Sequence, residues 1–188
     1  ELPGRHVERT QRRGKYLLLF AGDGCLLIHL GMSGSLRIVP AYEPRLPHDH
    51  IDLVLPGERV LRYCDPRRFG CMLWLKDDPQ RHPLLQSLGP EPLGEHFSGR
   101  TLFEGSRGRK TSVKAFIMDS HVVVGVGNIY ANEALFMAGI RPTQAVGRLA
   151  AARCDRLAHC IREILGRAIT MGGTTLRDFV GGDGKPGY

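Results

Sequence analysis

The feature that most restricts this chain is a set of six short apolar runs in its first half, with very little sequence between most of them. The runs cover residues 15–20, 25–30, 35–39, 51–55, 59–64 and 71–75. Turn residues separate them at 21–24, 31–34 and 56–58, where Gly, Asp, Pro and Ser dominate. Parallel neighbours need a crossover of a dozen or more residues, so connections this short force antiparallel pairing. The expected product is a sandwich or barrel-like antiparallel layer.

The second half changes period. Cys154, Leu157, Ala158, Ile161, Ile164, Leu165, Ala168 and Ile169 recur at helical spacing, with Arg153, Arg156, Arg162 and Arg167 largely off that stripe. This predicts an amphipathic helix ended by Gly172–Gly173. Residues 128–138 are apolar nearly all round apart from Asn132 and Glu133, which predicts a buried helix with Asn128 as its N-cap and Gly139 just past its end. A further helix is expected over 112–119. Between the halves, residues 77–100 hold Pro79, Pro83, Pro90 and Pro92 with Gly89, Gly94 and Gly99. That stretch reads as a linker, with room for a helical turn or two only at 82–88. The fold class is therefore α+β, with domains expected at 1–92 and 93–188.

At 188 residues, 42% hydrophobic and 24% charged, the chain is long enough to bury a core and unlike a disordered tail. No apolar run approaches the ~18 residues of a membrane span, and no leader is read at its start. The 26 Lys and Arg exceed the 19 Asp and Glu, for a net charge of +7. The pI near 9.5 is the footprint of a nucleic-acid binder, although charge alone also serves solubility. Cys25, Cys64, Cys71, Cys154 and Cys160 are odd in number and contain no C-x-x-C pair. They read as reduced thiols of a cytoplasmic protein, mostly small core residues, rather than metal ligands or a disulfide framework.

Four stretches could carry chemistry. Val124-Gly125-Val126-Gly127-Asn128 places two glycines before a helix N-terminus, which suits a phosphate or simply a tight interhelical turn. Asp65-Pro66-Arg67-Arg68-Phe69-Gly70 offers two arginines and an aromatic on a loop. It fits a DNA-inserting wedge, or a solvated turn with Arg68 paired to Asp65. His29-Leu30-Gly31-Met32-Ser33-Gly34 puts a methionine on a glycine-flanked tip, where it either projects as a wedge or folds back into the core. Arg107, Arg109, Lys110 and Lys114, with Arg12, Arg13 and Lys15, are two basic clusters that are either solvated faces or parts of a phosphate track.

Together these stretches resemble one family. Arg12-Arg13-Gly14-Lys15-Tyr16-Leu17, the run from His29, His48-Asp49-His50, the run from Asp65, L-G-P-E-P-L from Leu88, V-G-V-G-N-I-Y-A from Val124, and G-G-T-T-L-R-D-F from Gly172 to the closing D-G-K-P-G-Y are similar to bacterial formamidopyrimidine-DNA glycosylases, in order along nearly the whole chain. The resemblance implies a partial N-terminal antiparallel β-sandwich followed by a helix–two-turn–helix domain. It also implies excision of oxidised purines such as 8-oxoguanine and formamidopyrimidines, followed by cleavage of the abasic strand.

The resemblance also implies roles. Met32, Arg67 and Phe69 match the trio that fills the gap left by a flipped base. Lys15 matches a lysine that contacts phosphate near the lesion and assists elimination. His48, Arg67, Arg109, Lys114 and Asn128 match DNA-binding positions, with Arg109 where a lysine is common. The partner is damaged double-stranded DNA, bound by a monomer with no membrane involved. Two departures stand out. The family's nucleophile is an N-terminal proline amine, whereas residue 1 here is Glu1, and the spacing to the Lys15 strand aligns the opening residues with the approach to that strand. The family's four-cysteine zinc finger has no counterpart before Tyr188, so no cofactor is expected in this chain and zinc is expected in that finger. The expectation is an internal fragment that binds DNA without catalysis, with a lesion-sensing relative as the alternative.

Overall fold

The computed structural model describes residue 2 and residues 4–172. Two compact units divide the described chain, the first running to Pro79 and the second over Gln80–Ile169.

The first unit is all β. Strands β1 (Arg9–Arg13), β2 (Tyr16–Ala21), β3 (Gly24–His29), β4 (Ser35–Pro40), β5 (Asp49–Leu55), β6 (Arg59–Cys64) and β7 (Cys71–Leu75) form two antiparallel sheets. Their orders are β1-β2-β3-β7 and β4-β6-β5. Alternation decides which side chains meet between the sheets. Leu17, Leu19, Leu26, Ile28, Met72 and Trp74 of the larger sheet pack with Leu36, Leu53 and Leu61 of the smaller. Full burial of an aliphatic side chain of this kind is worth about 1.5–3 kcal/mol over exposure. Leu18 and Leu27, on the opposite face of the larger sheet, are also fully buried. That explains why β2 and β3 read as continuous apolar runs rather than alternating ones.

Strand β1 is absent from the sequence reading. Its residues, Arg-Thr-Gln-Arg-Arg, carry no apolar alternation, and it forms by pairing with β2 as an exposed edge. Arg9 lies over the Phe20 ring at 3.7 Å, and charged residues of this kind blunt an edge against further pairing.

The second unit is helical: α1 (Pro83–Gln86), α2 (Gly99–Ser106), α3 (Val113–Met118), α4 (Asn128–Ala138) and α5 (Ala151–Thr170). Its core joins Phe97, Leu102, Val113, Phe116, Ile117, Leu135, Leu149, Leu157 and Ile161. The division falls earlier than 92/93 because the proline-rich stretch bonds into this unit: the Gly89 N–H donates to the Ser120 carbonyl and the Val124 N–H to the Pro90 carbonyl. Helix α2 starts inside what reads as linker. A capping box between Ser98 and Thr101 begins it, and Gly99 is required because a Cβ there would collide with the Asp155 backbone of α5.

Two helix expectations are corrected. Asn128 is not the N-cap of α4. Gly127 occupies that position with no side-chain cap, and Asn128 is the first helical residue. Nor is α4 buried all round: Ala131, Ala134, Leu135 and Ala138 face the core while Phe136 is 86% exposed, because packing covers only one face of the helix. Gly139 does end α4 in the left-handed conformation, at φ 64°. Gly173 and the closing motifs lie outside the described residues, as does Glu1.

Candidate nucleic-acid interface

Strand register gathers the candidate residues of the β unit. Arg13 pairs with Tyr16, Tyr16 with His29 and His29 with Cys71, so the β1–β2 turn, the exit of β3 and the entry of β7 share one end of the larger sheet. Ser35 and Asp49 both pair with Cys64, which aligns the entries of β4 and β5 with the exit of β6. The loops at 30–34 and 65–70 bridge these two ends. One rim therefore carries Lys15, Met32, His48, Arg67 and Phe69, residues spread over more than fifty positions of sequence.

Two of these are apolar and project into solvent. Met32 is 75% exposed and Phe69 62%, which excludes the reading of Met32 as a core residue. Arg67 lies between them: its Nη1 is 3.7 Å from Met32 Sδ, and its guanidinium sits 5.7 Å from the Phe69 ring centroid. The Met32 tip is closed by a hydrogen bond from the Gly34 N–H to the Leu30 carbonyl. Gly31, at φ 64°, lets that tip approach the other loop, since a Cβ would stand 2.7 Å from Gly70 N. Arg68 makes no ion pair with Asp65. The Asp65 side chain is instead buried, with Oδ2 accepting from the Gly70 N–H at 2.8 Å and the Tyr63 hydroxyl at 3.1 Å.

Lys15 is the second residue of the two-residue β1–β2 turn, after Gly14 at φ 57°, the sign a type II′ turn asks of its first central residue. It is exposed, yet the protein around it displaces enough water to lower its pKa below 10.5. His29 is lowered too, by burial first and by the Lys15 charge second, and its Nδ1 accepts from the Gly31 N–H at 3.1 Å. His48 is exposed and holds a left-handed backbone at φ 77°.

In the helical unit, Arg109 is exposed in the turn after α2, with its guanidinium 5.3 Å from the Phe116 ring centroid. Lys114 is half-buried in the first turn of α3, where its N–H donates to the Pro142 carbonyl. Asn128 is exposed at the start of α4, preceded by Gly125 at φ 82° and capped by a residue without a side chain, so nothing covalent shields that end of the helix. A helix end of this form suits an anion.

Sequence reasoning missed Arg62 and the anchoring role of Asp65. Arg62, on β6, is 2% exposed; its Nε donates to Asp52 Oδ1 at 2.9 Å and its Nη atoms to the Glu43 and Pro44 carbonyls. The available signal was a charge inside an otherwise apolar strand, but nothing local shows that Asp52 stands opposite it. The five cysteines are free, with Cys25, Cys154 and Cys160 buried. Among the described residues, no group of three His, Cys, Asp or Glu is placed to hold a metal ion, and no helix is long and apolar enough to cross a membrane.

Comparison with known proteins decides the family. The formamidopyrimidine-DNA glycosylase N-terminal domain matches residues 1–72, and the formamidopyrimidine-DNA glycosylase H2TH domain matches residues 88–180. A formamidopyrimidine-DNA glycosylase of Cellvibrio japonicus is 61% identical over 188 residues, covering 100% of this chain and 69% of that protein. The chain belongs to the formamidopyrimidine-DNA glycosylase family. The fold agrees: the MutM (Fpg) protein of Thermus thermophilus superposes with a TM-score of 0.88 at 39% identity, over 98% of this chain and 68% of that one. The Lactococcus lactis formamidopyrimidine-DNA glycosylase bound to DNA containing an abasic site gives a TM-score of 0.88 at 34% identity, over 94% and 67%. As in the family, an antiparallel β unit precedes a helical one.

Proposed function

We propose that this chain carries the duplex-gripping and lesion-interrogating parts of a base-excision DNA glycosylase and abasic-site lyase directed at oxidised purines. One observation carries the reading. Two loops 35 residues apart deliver an exposed methionine and an exposed phenylalanine to the same arginine, on a rim where nothing in the fold's own packing calls for them. An apolar wedge beside a cation is what a duplex accepts where a base has left the stack. In this reading Met32 and Phe69 occupy the vacated position and Arg67 meets the unpaired base. Lys15, His48, Arg109, Lys114 and Asn128 hold phosphates. Lys15, whose lowered pKa makes its proton easier to give up, also assists elimination. The glycosidic carbon becomes reachable only when the nucleotide is extruded. An amine attacking it breaks the glycosidic bond and releases the damaged base. The sugar ring then opens to a Schiff base, and elimination from it breaks the strand. The protein works as a monomer in the cytoplasm, and zinc belongs to the family's four-cysteine finger.

The test compares binding to an intact duplex and to one containing an abasic site, with the melting temperature measured beside both. Phe69→Ala is expected to lower the abasic preference roughly five- to a hundredfold, the worth of about 1–3 kcal/mol of stacking, and to leave the melting temperature unchanged. Met32→Ala acts in the same direction. If Phe69 and Met32 only pack within the protein, both affinities fall together with the melting temperature, and the wedge reading is lost.

A further inference from the structure

We propose that Asp65 is a positioning residue that locks the Arg67–Phe69 wedge and the His48 loop into one geometry on the rim. The inference rests on the wedge reading above and names what holds the wedge in register.

Asp65 makes bonds to both loops at once. Its N–H donates to the His48 carbonyl at 3.0 Å, its carbonyl accepts from the Arg68 N–H at 3.3 Å, and His50 Nε2 lies 2.9 Å from the same carbonyl. The carboxylate Oδ2 takes the Gly70 N–H and the Tyr63 hydroxyl. Every loop atom bonded here flanks a residue proposed to face DNA: Gly70 and Arg68 enclose Phe69, and the His48 carbonyl belongs to His48 itself.

The loops need such a tie. His48 and Arg68 both adopt positive φ, at 77° and 55°, a conformation that is costly for residues with a Cβ and persists only where the surroundings enforce it. Each of these two residues is hydrogen-bonded to the main chain at position 65, which any residue there would supply. What the aspartate adds is its carboxylate's hold on Gly70 and Tyr63, which pins that main chain in place. A cleft of about 400 Å³ opens on one side of Asp65, between His50, Tyr63, Arg68 and Met72, so packing holds the loop from the other side only. Gly70 is bound closely enough that a Cβ would collide with the Tyr63 hydroxyl oxygen and the His29 carbonyl. Meanwhile Asp65 Oδ1 is buried with no hydrogen-bond partner. The charged Oδ2 strengthens both of its bonds, so Gly70 and Tyr63 are held to one geometry around it.

The experiment uses the full chain and the two duplexes above, with 2-aminopurine placed opposite the abasic site to report insertion of the wedge. Asp65→Asn keeps an oxygen that can accept from Gly70 but loses the charge, and charge-assisted bonds are roughly twice as strong as neutral ones. It is expected to lower the abasic preference about two- to fivefold and to shrink the 2-aminopurine signal, with intact-duplex affinity within about twofold of the parent. Asp65→Ala is expected to lower the preference to the level of Phe69→Ala. If Asp65→Ala does not fold, Asp65→Asn decides alone. An Asp65→Asn chain that melts lower but keeps its abasic preference and 2-aminopurine signal overturns the proposal, because the residue is then structural only. A Phe69→Ala chain with unchanged preference overturns the wedge reading itself, and a lowered preference in Phe69→Ala with none in Asp65→Asn removes Asp65 alone.

Discussion

The two units offer candidate DNA-facing groups in opposite ways. In the helical unit the cations sit on or beside short helices whose ends follow from local signals, such as the Ser112 side chain accepting from the Ala115 N–H to start α3. Lys114 and Asn128 lie in the first turns of their helices and Arg109 in the turn before α3. Those starts place them, together with main-chain bonds such as Lys114 N–H to the Pro142 carbonyl and Gly147 N–H to the Arg109 carbonyl. In the β unit, Lys15, Met32, His48, Arg67 and Phe69 come together only after seven strands have paired, and two neighbouring backbones are held at positive φ by a buried carboxylate's residue. The first arrangement is robust and the second is exacting. Phosphate, a repeating and forgiving target, can be held by the robust one, whereas a gap in a base stack has one shape and needs the exacting one.

Substitutions in the β unit sharpen this contrast most. Arg62→Met leaves the buried Asp49 without its cation and Asp52 with only the exposed Arg45, and frees the 43–44 carbonyls that tie down the chain before His48. The β unit is expected to melt ~10 °C or more lower by calorimetry, with the transition of the helical unit unmoved. Gly70→Ala is next. Its Cβ has no room, so a loss of about 2–4 kcal/mol in urea unfolding is expected together with the abasic preference. The matching change in the helical unit, Gly125→Ala, meets open space and only the left-handed backbone opposes it, for a loss of about 1 kcal/mol. Equal losses at the two glycines would dissolve the distinction between the Phe69 loop and the turn before Asn128.

Acid separates the units by a smaller amount. Asp52 is held below its ordinary 3.8, chiefly by its hydrogen bond from Arg62. A depressed carboxyl contributes stability above its unfolded pKa and loses it as pH falls through the folded one. His29, also depressed, contributes fully above about 6.5 and loses that contribution as the pH drops further. The β unit should therefore weaken first as pH falls below 6.5 and again below about 4. Asp119 in the helical unit is depressed as well, first by the His121 N–H, but its side chain is partly in solvent and its loss should be slight. Calorimetric scans between pH 7 and pH 3 check the order, and Asp52→Asn should erase the second step.

The smallest effects are expected from the helical cations. Arg109→Ala and Lys114→Ala should each flatten the slope of log K against log salt by about 0.9, leaving the abasic preference unchanged. A change in that preference would mean these residues read the lesion rather than the backbone.

The β1 edge and the α2 start show where local reading stops. An Arg-Thr-Gln-Arg-Arg strand has no hydrophobic period, so only β2 can make it one. Helix α2 begins at a glycine in a proline-rich stretch, because the close approach of Asp155 matters more there than propensity. By itself the sequence determined the antiparallel pairing, through connections too short for anything else, and the long amphipathic helix, through its period. It also marked the loop and turn residues that the family resemblance singles out. Tertiary structure alone decided that Met32 and Phe69 meet at Arg67, that Arg62 is buried among Asp52 and Asp49, and that Asp65 turns inward to bond Gly70 instead of pairing with Arg68. The reason is that each of these joins residues distant in sequence or depends on which groups are shut away from water, and neither register nor burial is encoded in the spacing of a single segment.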